Sequence, residues 1–90
     1  MARFDIGAPD LATMAERQPN AEGLFELGML YANGDQVEVD LVAAHKWFNL
    51  AAVRGNAEAA WHRQQIAEEM TAADIAAAQR AAREWLTTHH

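Results

Sequence analysis

The 90-residue chain contains no cysteine, so disulfide staples, thiolate metal sites and cysteine nucleophiles are excluded as ways of stabilising or using it. Proline occurs twice and glycine five times, too seldom for a low-complexity chain. No apolar stretch approaches the roughly 20 residues that cross a bilayer. Residues 1–10 lack the charged-then-apolar pattern of a leader. Basic side chains are scarce, seven against thirteen acidic ones, for a formal charge of −6. That imbalance repels phosphate backbones and anionic lipid, so neither nucleic acid nor a membrane is an expected partner. A cytoplasmic location is the default expectation.

Chemical motifs are missing as well. There is no glycine-rich dinucleotide or phosphate loop, no nucleophile elbow and no paired-histidine zinc sequence. His45 and His62 stand alone, with no second ligand at helical spacing, and read as surface or helix-face histidines. Glu68-Glu69 reads as a solvated pair, since nothing around it suggests the desolvated cleft of an acid/base site. No catalytic residue, cofactor or metal ligand is expected, and the chain is not expected to be an enzyme.

What remains is 51% hydrophobic, much of it alanine, with few β-branched runs. That balance predicts one small all-α domain. After Pro9-Asp10, the shared face of Leu11, Met14 and Ala15 predicts a short helix that ends before Pro19. Asn20 is a good N-cap, Glu22 suits a first turn, and Asn33-Gly34 is a stop, so a helix is expected to about Ala32. Asp40 caps a second, with Leu41, Ala44, Trp47, Phe48, Ala51 and Ala52 three and four apart until Gly55. Asn56 starts a third, with Ala59, Ala60, Ile66, Ala67 and Met70 inward. Thr71 to Asp74 resembles a capping box opening a fourth, to about Leu86.

The segments echo one another. Asn20-Ala21-Glu22 recurs as Asn56-Ala57-Glu58, 36 residues on, and the stretch from Asp40 to Lys46 is echoed from Asp74 to Arg80, 34 residues on. A period in the mid-thirties, with one helical hairpin per unit, is the signature of a stacked helical repeat. Gly28 lies on the apolar stripe of the first helix, where alanine would favour the helix by roughly 1 kcal/mol. Such a glycine is expected to be a socket: without a Cβ it admits a bulky side chain of the neighbouring helix, with Trp47 or Phe48 the candidate plug and Ala44 and Ala51 extending the seam.

Leu27-Gly28-Met29-Leu30-Tyr31, Gly34, Val37, Asp40, Ala44, Lys46-Trp47-Phe48, Ala51-Ala52, Gly55 and Ala59 together resemble one complete Sel1-like repeat, a relative of the tetratricopeptide repeat with a longer inter-helix loop. The resemblance implies antiparallel helical hairpins stacked as a short α-α superhelix. It divides the chain into an N-terminal segment 1–19, a complete repeat 20–55, a degenerate capping repeat 56–86 and a tail 87–90. Three departures stand out. Gln36 replaces a loop glycine, which requires either a rearranged turn or a strained positive φ. Arg63-Gln64 replace the leucine-glycine pair of the second unit, and Ala81 replaces its tryptophan, as suits a terminal unit whose outer face meets water.

In such hairpins the first helix of each unit lines the concave side. By resemblance the partner-binding positions are Glu22, Phe25, Met29 and Asn33, joined by Glu58, Trp61 and Gln65. Phe25, Met29 and Trp61 would make an apolar strip edged by carboxylates, suited to a basic or amphipathic protein segment. The same aromatic stripe also fits plain burial under residues 1–19 or against the last helix. The leading expectation is a protein–protein interaction module, an adaptor or scaffold. The alternatives are a self-associating module, a homodimer, and an inhibitor that covers another protein's site.

Overall fold

A computed structural model describes residues 20–88. The expected helix around Leu11 to Ala15 lies outside the described residues, as do His89 and His90. Within them the chain is all-α: α1 (Ala21–Asn33), α2 (Leu41–Val53), α3 (Ala57–Ala67) and α4 (Ala72–Thr88), with no strand.

Each helix begins where a side chain satisfies an otherwise orphaned N–H. Asn20 Oδ1 accepts from Gly23 N at 2.7 Å, Asp40 Oδ1 from Ala43 N at 3.0 Å, Asn56 Oδ1 from Ala59 N at 3.0 Å, and Thr71 Oγ1 from Asp74 N at 3.0 Å. The ends are equally local. After α2, Asn56 N donates to Ala51 O and Gly55 N to Ala52 O, both at 3.0 Å, with Gly55 at φ 107°. These are the two crossed bonds of a Schellman stop, which wants a residue indifferent to positive φ. Two boundaries differ from the sequence expectation. α3 stops at Ala67, leaving Met70 in the connecting turn, and α4 continues to Thr88.

The loop between α1 and α2 settles the question at Gln36. No described non-glycine residue has a positive φ, so the turn is built another way. Gly34 ends α1 by donating to Leu30 O, and Asp40 N donates back to Tyr31 O at 3.0 Å, closing the loop on the helix it left.

α2 is the hub, packing against α1, α3 and α4. Its apolar positions cover most of its circumference, so Ala44, Trp47, Phe48, Leu50 and Ala51 are all buried. Gly28 is the socket the sequence suggests, and Phe48 is the plug. A Cβ built on Gly28 would lie 2.5 Å from Phe48 Cε1 and 2.9 Å from Cγ, well inside van der Waals contact. Trp47 goes elsewhere. Its ring meets Trp85 of α4 edge to face, centroids 5.9 Å apart and planes at 84°, a favoured geometry for aromatic pairs. α4 therefore docks on α2 through Trp85, with Ala78 and Ala82 also buried. No helix among the described residues is long and apolar enough to cross a membrane.

Of the two places the sequence allows His45, the surface or a packed helix face, the structure shows the second. His45 is only 4% exposed, because α2 is covered from three sides. Its Nδ1 has no hydrogen-bond partner. Burial, and secondarily the charge of Arg63, lower its pKa below the ordinary 6.5, so the neutral imidazole is the form the fold holds.

Candidate functional site

The residues expected to line the concave side separate into three kinds. Glu22, Asn33, Glu58 and Gln65 are exposed, Phe25 and Met29 are half-buried against the core, and Trp61 is 60% exposed. Glu22 and Asn33 lie about 16 Å apart along α1 at 1.5 Å per residue. These positions thus form a strip along two helices and not a point-like pocket.

What joins the two helices is a chain of rings. Phe48, fully buried, contacts Phe25 of α1 with centroids 5.7 Å apart. His62 of α3 stacks on Phe48 at 5.4 Å with planes at 23°, and meets Phe25 at 5.4 Å in a steeper, edge-like arrangement. Trp61 then meets His62 edge to face, 5.0 Å away and at 90°. The series runs from the closed core outward to an indole standing in solvent. Phe25 and Trp61 occupy matching places in the two units, and the structure links them through His62.

His62 is the residue that sequence reasoning passed over as isolated. Its Nε2 lies 3.9 Å from Glu58 Oε2, one helical turn back, too far for a hydrogen bond. Its position between Phe25 and Trp61 follows from the α1–α2–α3 packing, not from any motif. One signal was available: Glu58 and His62 stand four apart, on the same side of a helix as Trp61 and Gln65.

Beside the rings, α3 is fastened to α2 by a short bond from Arg63 Nη1 to Asn49 Oδ1, 2.6 Å. This guanidinium replaces the leucine of the first unit and turns inward to α2. Charge along α1 and the loop after it is of one sign. Residues 20–45 carry Glu22, Glu26, Asp35, Glu38 and Asp40 and no lysine or arginine. Away from this strip, a concavity of about 460 Å³ opens between the α1–α2 loop and the start of α4, lined by Tyr31, Val37, Val39 and carboxylates including Asp74. Asp40, at its rim, is already engaged as the cap of α2. Among the described residues no three His, Asp or Glu side chains converge as a metal site would require.

No protein-family model, curated protein sequence or solved structure matches the chain. The functional reading therefore rests on the residues and their geometry.

Proposed function

We propose that the domain is a protein-interaction module, an adaptor that receives a segment of another protein along the α1–α3 face, and not an enzyme. The observation that carries this is Trp61. A large aromatic side chain at 60% exposure leaves most of its apolar surface in water, and its ring contact is with His62, which itself stacks on buried Phe48. Large aromatic side chains concentrate binding energy at protein interfaces. Half-buried Phe25 and Met29 continue the apolar strip along α1, and Glu22 and Glu58 edge it with charge.

The resemblance to Sel1-like repeats supports the same reading, since such hairpins present their first helices to a partner.

The test compares wild type with Trp61→Ala. Affinity capture with the folded domain, followed by binding measurements on the recovered partner, should show at least about a tenfold loss of affinity for the variant, the size expected of an aromatic anchor. The melting temperature should stay the same, because Trp61 lies outside the core. Full retention of binding by Trp61→Ala would defeat the proposal. A melting temperature that rises with protein concentration would point to self-association instead.

A further inference from the structure

We infer that Trp61 and Glu58 form a receptor for an arginine side chain of the partner segment. This inference rests on the docking reading and specifies what docks.

The argument begins with the three tryptophans. Two are buried and carry a cation from the chain itself: Lys46 Nζ lies 4.0 Å from the Trp47 ring centroid, and Arg54 Cζ lies 5.6 Å from that of Trp85. Trp61 is the exposed one, and among the described residues no cation covers it. The nearest guanidinium in sequence, Arg63, is committed to Asn49 on α2. An open indole face one helical turn from the exposed carboxylate of Glu58 attracts a positive group from outside, through the ring quadrupole and that charge together.

Glu58 decides which cation fits best. It precedes Trp61 by three residues, so the two side chains rise from the same side of α3. Its side chain is 72% exposed, and at 3.9 Å from His62 Nε2 its carboxylate is not held by a hydrogen bond there. A planar guanidinium can lie on the indole and still direct its in-plane N–H groups to a neighbouring carboxylate. An ammonium is a compact, strongly hydrated charge that gives up more water to rest on a ring and cannot form the forked pair. The site therefore prefers arginine to lysine. A second copy meeting this face symmetrically is disfavoured, because Glu22, Glu26 and Glu58 would meet their own image.

The test is a nitrogen-15 NMR titration of the full chain, with the Trp61 indole N–H signal assigned by Trp61→Phe. The probes are a synthetic amphipathic helical peptide with leucines on one side and arginines flanking them, and its lysine, citrulline and glutamate counterparts. The arginine peptide should move the Trp61 signal saturably, and the lysine peptide should bind roughly three- to fivefold more weakly. The citrulline and glutamate peptides should be weaker still. Glu58→Gln should narrow the arginine–lysine difference and flatten the salt dependence.

Equal affinity for arginine and lysine at Trp61, or equal binding of the citrulline peptide, would overturn the arginine receptor while the docking reading survives. Shifts confined to residues away from α1 and α3, or none with any peptide, would overturn both. A Trp61 signal that moves on concentrating the protein alone would assign the face to a second copy and overturn the inference.

Discussion

The two halves of the described chain are built from similar sequence and held by different means. In the first, Gly28 of α1 and Phe48 of α2 interlock, and the hairpin closes on an aromatic ring seated against backbone. In the second, the positions 36 and 34 residues on are Gln64 and Ala82, so both socket and plug are gone. α4 accordingly takes its main support from α2, where Trp85 meets Trp47. Removing a bulky residue and its receiving glycine together leaves no hole and no clash. It removes only the reason for those two helices to approach closely, and α4 then settles against the largest apolar surface on offer.

The largest effect should come from emptying the socket. Phe48→Ala removes a fully buried ring and should cost about 3–5 kcal/mol, read as a fall in the urea midpoint with little change in slope. Trp85→Ala should be of similar size locally but narrower in reach. Hydrogen exchange should show lost protection over residues 72–88 and retained protection around Leu24, Leu27 and Phe48. Uniform loss across all four helices would show that the halves are not separable in this way.

Next in size is Gly28→Ala. Helix propensity favours it by roughly 1 kcal/mol, yet the added methyl would overlap the Phe48 ring. Overpacking costs typically about 1–3 kcal/mol, so the variant should be less stable than wild type. In the Phe48→Ala background the same substitution should become neutral or stabilising, and a double-mutant cycle measures that reversal. At the matching exposed position of the second unit, Gln64→Ala should change stability by less than about 0.5 kcal/mol in either background. A penalty there equal to that at Gly28 would remove the contrast between the halves.

His45 offers a smaller, pH-dependent probe of the hub. Its folded-state pKa lies below 6.5, so at acid pH the unfolded chain binds more protons than the folded one. Stability contributed by the neutral form is complete above the unfolded value and declines as pH falls below 6.5 toward the lowered folded value. The wild-type melting temperature should drop between about pH 7 and about pH 5 by more than that of His45→Leu. Parallel curves for the two proteins would show that His45 does not set the slope.

Much of the architecture was legible before any coordinates. Asn20, Asp40, Asn56 and Thr71 announce helix starts because their side chains satisfy N–H groups only a few residues away. Gly28 was legible as a socket because an unfavourable helix residue on an apolar stripe needs a packing reason. Its plug was left between two adjacent rings, Trp47 and Phe48, since one residue is a 100° turn of helix and small shifts of α2 decide which ring points at α1. His45 was left between the surface and a packed helix face because its burial depends on three helices arriving from different parts of the chain. His62 was passed over for a related reason: its ring neighbours Phe25 and Phe48 are distant in sequence.

Local chemistry, then, sets the number of helices, most of their ends and the acidic, alanine-rich composition they are built from, because capping, periodicity and charge act over a few residues. The choice of α2 as hub, the seating of Phe48 rather than Trp47 in the glycine, the docking of α4 on α2 and the ring series ending at Trp61 belong to the folded molecule. Those features depend on which apolar surfaces exclude water together, and burial is a property of neighbours that the chain brings from far along its length.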